Sequence, residues 1–392
     1  MEYRKPDQHA GLNLHTSLII GFDGKRAAGN FTGLGNYSRY LIGVLATFYP
    51  ENKYLIYSPK RFVKTVSKPI EKNGSVSLRY PKNNLFKSWW RSFGISRDLR
   101  TDQVQIYHGL SNEIPFRLRK ERISTVVTIH DLIFLRFPQF YSFIDRAIYR
   151  LKFQYACKNA DKIIAISEQT KKDIIHFFQI PENRIKVIYQ NCSNIFRQNF
   201  SEENLRDIRI KYSLPEKYLL NVGTIEARKN LLLIVKALVM VDPSIHLVVV
   251  GKETSYAAQV KRFITNNHLE NRVHFLKNVL HEDLPGIYRQ AEIFVFPSRF
   301  EGFGIPVLEA LHSRVPVIAV RGSCLEEAGG PESMYVEPDD HQGLGNAINS
   351  ILTDRDKKQR MVESGTEYIK RFSDELIAAE IMDVYRKLKQ NA

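Results

Sequence analysis

Cysteine is scarce: Cys157, Cys192 and Cys324 are the only three in 392 residues. They are odd in number, far apart and without metal-ligand spacing. That excludes a disulfide scaffold and a cysteine-based zinc site, and fits reduced thiols in a cytosolic compartment. Long apolar runs are also missing. The longest, Leu231 to Val241, reaches about half of the roughly 20 residues a bilayer requires, and Lys236 interrupts it. The opening "MEYRKPDQHAGLNLHTS" is polar, with no stretch of signal-peptide length before residue 18, so nothing in it reads as an export mark. Low-complexity tracts and internal repeats are absent.

Acidic residues are short on one side of the chain only. Residues 1–200 hold 32 Lys and Arg against 15 Asp and Glu, a surplus of +17, whereas residues 201–392 hold 25 against 27. A field that one-sided favours an anionic partner: nucleic acid, an acidic glycan or an anionic membrane surface. Nucleic acid is the poorest fit, because no aromatic-and-basic recognition module accompanies the charge.

What is present is α/β patterning. A composition of 43% hydrophobic and 25% charged residues fits a soluble globular chain, and the length fits two domains. Short β-branched runs alternate with amphipathic stretches, the pattern of βα units and parallel sheets. Strands are expected at 16–22, 53–58, 104–109, 124–131, 162–167 and 184–189, then at 218–223, 246–251, 273–278, 293–298 and 315–320. A linker is expected in the polar stretch 200–215. The domains are accordingly 1–205, 206–372 and a C-terminal helix, 373–392, packing back on the first. Two doubly wound domains leave a cleft between them, and such sheets bind ligands at the carboxyl ends of their strands.

One segment points into that cleft. In "RFEGFGIPVLEAL", residues 299–311, Gly304 suits a tight turn and Pro306 a first helical turn, so a helix is expected from Ile305 through Leu311. Its N-terminal N–H groups are an anion site suited to phosphate. Glu301 and Glu309 flank it, and since carboxylates repel phosphate they are assigned to sugar hydroxyls. A second phosphate candidate is "LLNVGTIEARKN", where Gly223 ends a strand and Arg228 and Lys229 precede a helix. These two cations fit either a clamp on a diphosphate or a basic helix cap.

These motifs, with "VHFLKNV", "LPGIYRQAEIFVFPSRFEGFGIPVLEAL" and "VPVIAVRGSCLEEAGG", resemble glycosyltransferase family 4. Its members are retaining enzymes of the GT-B fold, two Rossmann-like doubly wound α/β domains facing a central cleft. "TGLGNYSRYL", "YHGLSNEIP", "THDLIFLRFP" and "ADKIIAISEQTKKDI" extend the likeness to nearly the whole chain from Leu18. The resemblance implies transfer of a sugar from a nucleotide-sugar donor to a hydroxyl of a glycan or lipid-linked glycan, in bacterial cell-surface polysaccharide or lipopolysaccharide assembly. It implies that Glu301 contacts the transferred sugar, Glu309 holds the ribose, and Arg228 with Lys229 bind the diphosphate. The backbone of Phe303, Gly304 and Ile305 closes over sugar and phosphate. Many family members carry Arg directly after the glycine of this first C-domain loop, where this chain has Thr224.

Gly33 and Gly35 of "TGLGNYS" face the donor phosphates by the same likeness. As a dinucleotide fingerprint the segment fails, because Ser38 fills the third glycine position. His130 and Asp131 follow the strand "STVVTI" at a carboxyl end, and the resemblance implies a place for them near the transferred sugar and the acceptor, with Asp131 capping or orienting rather than reacting. No cofactor is expected and no metal. "DRD" at 354–356 lies between helical stretches rather than after a strand. Residues 83–100 interleave Trp89, Trp90 and Phe93 with Lys87, Arg91, Arg97 and Arg100. They fit either a patch peripheral on the inner face of an anionic membrane or aromatics turned into the core. A rival enzyme class of the same architecture is a nucleotide-sugar 2-epimerase.

Overall fold

The structure, a computed structural model, describes residues 17–30, 32–63, 74–82 and 87–390. Two parallel sheets carry the chain. The first contains β1 (Ile19–Asp23), β2 (Lys53–Tyr57), β3 (Val76–Arg79), β4 (Ile106–Gly109), β5 (Ser124–Ile129), β6 (Lys162–Ala165) and β7 (Ile185–Val187). The second contains β8 (Tyr218–Val222), β9 (His246–Val250), β10 (Val273–Leu276), β11 (Ile293–Phe296), β12 (Val317–Val320) and β13 (Met334–Val336). Their orders are β3-β2-β1-β4-β5-β6-β7 and β10-β9-β8-β11-β12-β13. Each sheet winds outward from its first strand and reverses once, so each has one crevice, between β1 and β4 and between β8 and β11.

The central strands are buried on both faces, as helices on either side of a parallel sheet require. Val126, Val127 and Ile129, and likewise Leu219, Leu220 and Val248, expose none of their surface. Each such side chain contributes roughly 1.5–3 kcal/mol relative to an exposed one. The helix Gly33–Phe48 buries Tyr37, Leu41, Ile42, Val44 and Leu45 along one stripe, at the 3-to-4 spacing of an amphipathic helix.

The stretch 200–215, expected as a linker, contains the helix Glu202–Lys211. The Ser201 hydroxyl caps it by accepting from the Asn204 amide at 3.1 Å, and Ile208 is buried in the core of the second sheet. The final helix, Asp374–Gln390, crosses back. Ile377, Ile381, Met382 and Tyr385 are buried in the same cluster as β1 and the helix Gly33–Phe48. Asp374 fixes its entry by accepting from Tyr40 Oη at 2.8 Å and from Arg197 at 2.9 and 3.0 Å.

Candidate active site

Gly223 follows β8 with φ 147°, a conformation natural only to glycine. Any side chain at neighbouring Gly251 would meet its carbonyl oxygen at 1.9 Å. The chain then makes a short 3-10 turn, Ala227–Lys229. Asn230, at φ 56°, donates from its side-chain amide to the Pro338 carbonyl at 2.8 Å and starts the helix Leu231–Leu238. This turn aims Arg228 and Lys229 at the loop after β11, across the crevice of the second sheet.

Glu301 lies in that loop. Its carboxylate pairs with Lys229, stands 3.0 Å from the Arg228 guanidinium and accepts from Ser298 Oγ at 2.5 Å. Arg228 is held by the Phe300 carbonyl at 2.5 Å and by Glu226 at 2.6 Å. The Lys229 ammonium sits 4.8 Å from the centre of the Phe296 ring. Burial alone would push the Glu301 carboxyl up, but the charges of Lys229 and Arg228 overcome it and hold the group at about 2. Burial likewise opposes the Arg228 charge, yet Glu301 and Glu226 raise its pKa above the ordinary value. The result is a fixed ionic cluster at the carboxyl ends of β8 and β11.

Gly304, at φ 119°, turns the chain into the helix Ile305–His312, with Pro306 in its first turn. A side chain at Gly304 would press on Leu325 at 2.8 Å. Phe303 is buried and stacks on Tyr189 at 5.4 Å. Glu309 stands apart from the ionic cluster: its Oε2 accepts from Tyr288 Oη at 2.8 Å. Burial pushes its carboxyl up to about 7, against that single hydrogen bond. Thr224 is exposed beside Gly223.

The first sheet reaches the same place through His130 and Gly302. A Cβ at Gly302 would fall 2.3 Å from the His130 carbonyl oxygen, and Ser167 Oγ donates to the Gly302 carbonyl at 2.7 Å. The His130 amide donates to Asn112 Oδ1 at 2.7 Å. Its ring Nε2 lies 2.9 Å from the Leu110 carbonyl, which accepts only, so Nε2 carries the proton and Nδ1 is the acceptor. Burial lowers the imidazole to about 4, leaving it neutral at pH 7. Tyr37 stands edge-on to this ring at 4.6 Å. Asp131 caps the turn at the Ile133 amide, 3.1 Å away. Burial raises its pKa, with that amide and Arg228 opposing.

Gly33 opens the first helix with nothing within 4 Å of where a Cβ would stand, whereas at Gly35 a Cβ would strike the Asn30 carbonyl oxygen at 1.9 Å. Gly35 therefore serves the fold, and the space at Gly33 is open to a ligand.

Sequence reasoning missed Ser298, Glu226, Ser167 and Asn112, which orient the cluster and His130. It also missed Glu327, whose carboxylate accepts from the Glu168 and Gln169 amides at 2.7 and 3.0 Å and so joins the second half to a helix of the first. "PSRFEG" did place Ser298 three residues before Glu301. Glu226 likewise stands two residues before Arg228 in "TIEARKN", whereas Asn112, Ser167 and Glu327 are 18 or more residues from their partners and leave no local signal.

The aromatic-basic stretch divides. Trp90 is buried and donates from its indole to Asp98 at 2.7 Å. Half-buried Arg91 is held between Asp23 at 2.7 Å and Glu113 at 2.6 Å. Neither can meet a membrane from there, while Trp89 and Phe93 are exposed; residues 83–86 lie outside the described residues. Asp354 caps the helix Arg355–Tyr368 by accepting from the Lys357 amide at 2.8 Å, so "DRD" is a helix start. Among the described residues no group of three or more His, Cys, Asp or Glu could hold a metal ion, and no helix is long and apolar enough to cross a membrane.

Comparison with known proteins agrees with this architecture. The family model of the group 1 glycosyl transferases matches residues 206–368, and that of glycosyltransferase family 4 matches residues 49–190. O-antigen chain mannosyltransferase B of Escherichia coli is 26% identical over 373 residues, covering 91% of this chain and 96% of that protein. O-antigen chain mannosyltransferase RfbU of Salmonella typhimurium is 28% identical over 57% of this chain and 60% of its own length. A glycosyltransferase from Rickettsia africae superposes with a TM-score of 0.76 at 19% identity, over 96% of this chain and all of that one. HepE of Anabaena, solved with UDP-glucose, superposes with a TM-score of 0.74 at 18% identity, over 94% of this chain and all of that one. The fold is GT-B, and the chain belongs to the family 4 glycosyltransferases, its second half being the group 1 glycosyl transferase domain.

Proposed function

We propose that the protein is a retaining hexosyltransferase. It moves a sugar, mannose first among candidates, from a nucleoside-diphosphate donor to a hydroxyl of a glycan or lipid-linked glycan in cell-surface polysaccharide assembly. The observation that carries this reading is the Glu301–Lys229–Arg228 cluster at the crevice of the second sheet. Mannose is favoured by the likeness to two O-antigen mannosyltransferases, and a nucleotide sugar by the UDP-glucose bound to HepE.

In this reading Lys229 and Arg228 bind the diphosphate and stabilise the charge that develops as it leaves. The backbone amides of Phe303, Gly304 and Ile305, at a helix N-terminus, add to that field. Glu301 stays ionised and accepts from hydroxyls of the transferred sugar, while Glu309, ionised above pH 7, accepts from the ribose. The bond from the anomeric carbon to the phosphate oxygen breaks, and a bond from that carbon to the acceptor oxygen forms on the same face. The acceptor proton passes to the departing phosphate. Neutral His130 offers Nδ1 to a sugar hydroxyl from the opposite wall, with Asp131 orienting the turn beside it. Gly33 leaves its helix start open to the donor phosphates.

The test is thermal-shift screening against a panel of nucleoside-diphosphate sugars that includes a mannose donor, since a donor that binds only the native state raises its stability. One donor should raise the melting temperature more than its free nucleotide does. No shift from any of them contradicts the reading.

A further inference from the structure

Apart from the cleft, the helix Phe143–Asn159 carries an apolar face that the fold does not use. Its inner side, Phe153, Ala156 and Cys157, is packed in the core of the first sheet. Its outer side presents Phe143, 79% exposed, Ile144, 69%, Leu151, 70%, and Ile148, 43%. At 100° per residue these four fall within an arc of about 140° on one side of the helix. Arg150 borders that arc on one side and Lys152 on the other, and Lys158 follows in line at the last turns. All three are exposed; Arg150 and Lys158 have no ion pair among the described residues, and Lys152 stands 3.5 Å from Glu113, which Arg91 already holds at 2.6 Å. The acidic Asp145 is occupied at the helix cap by Ser142.

We propose that this face seats the protein on an anionic phospholipid surface. The aliphatic and aromatic side chains enter the acyl boundary while Arg150 and Lys152 meet headgroup phosphates. Charge selects this occupant: the helix lies in the half of the chain with the +17 surplus. A second copy docked here would bring like-charged flanks together. Position gives the contact a use. Phe140, partly exposed just before the helix, lies 6.0 Å from the Phe137 ring, which lies 5.5 Å from the Phe300 ring, next to Glu301. A bilayer on this helix therefore sits at the mouth of the cleft, where a lipid-linked acceptor presents its hydroxyl. That use rests on the proposed function, but the surface itself does not.

The experiment is sedimentation of the full chain with phosphatidylglycerol–phosphatidylcholine vesicles and with phosphatidylcholine vesicles alone, without donor or acceptor. Binding should appear with the anionic vesicles and fade with added salt. The combined variant Phe143→Ser, Ile144→Ser, Leu151→Ser should stay in the supernatant with an unchanged melting temperature. Arg150→Gln with Lys152→Gln should weaken vesicle affinity about thirtyfold. Three outcomes overturn the proposal: wild type that does not sediment, binding that survives both variants, or an oligomer in gel filtration that the triple variant dissociates without any vesicle binding. Loss of transferase activity with vesicle binding intact would count against the proposed function and leave this surface standing.

Discussion

Glu309 and Tyr288 share a hydrogen bond of 2.8 Å, which opposes without cancelling the burial that brings the carboxyl near neutrality. Burial places the Glu309 carboxyl at about 7, above the ordinary carboxylate range. Between the unfolded value and about 7 the native state holds the extra proton, so its stability falls as pH rises through that window. Glu309→Gln should remove this slope, which urea unfolding at pH 5 and pH 8 measures. Wild type should lose more stability than the variant between the two.

In the proposed function ribose hydroxyls donate to Glu309 and bind the ionised carboxylate more strongly, so donor affinity should run the other way and weaken below pH 7. Glu309→Ala should cost roughly 1.5–3 kcal/mol of donor binding at pH 8, the range for hydrogen bonds to a charged group. Calorimetry against pH reads both effects, and unchanged affinity would remove Glu309 from the donor site.

Glu301 has the opposite sign. Held at about 2, its pairing stabilises the fold above the unfolded carboxylate value and is lost as pH falls through about 2. Glu301→Ala takes its ion-pair partner from half-buried Lys229 and leaves Arg228 with Glu226 and the Phe300 carbonyl alone. By analogy with broken buried pairs it should cost about 3–5 kcal/mol, measurable by denaturant unfolding at pH 7. A cost below 1 kcal/mol would mean that water compensates both cations.

Gly302→Ala separates the two halves of the site. Its methyl would overlap the His130 carbonyl oxygen, 2.3 Å away, and force the walls apart while leaving Arg228 and Lys229 in place. Donor binding should persist within about threefold, about 0.7 kcal/mol, and kcat should fall far more. A parallel loss of both would place the donor against the first half instead.

The sequence carried the sheets well, for physical reasons that also explain the omissions. Central strands are buried on both faces and read as apolar runs, as in "HLVVVG" and "IFVFPS". Val76–Arg79 and Met334–Val336 were overlooked; each is an edge strand of three or four residues with one buried residue. The helix Glu202–Lys211 read as a linker because only Ile208 in it is buried. Its Ser201–Asn204 cap was a readable sign that the polar composition masked. Trp90 and Trp89 adjoin yet face opposite ways, and composition cannot separate them; only the partner Asp98 does. Gly223, Arg228, Lys229 and Glu301 were legible as loops at strand ends. The approach of Gly302 to His130, with its Ser167 hydrogen bond across 135 residues, depends on how the two sheets meet.

The central claim is that the Glu301 cluster serves sugar transfer from a nucleotide donor with retention. It is tested most directly by incubating the donor found by thermal shift with a glycan acceptor. Release of free nucleoside diphosphate and the anomeric configuration of the product, read by NMR, are measured for wild type and Glu301→Ala. Nucleotide should be released only with acceptor present, the product should keep the anomeric configuration of the donor, and turnover should be lost in the variant. Inversion at the anomeric carbon, or turnover undiminished in Glu301→Ala, would contradict it.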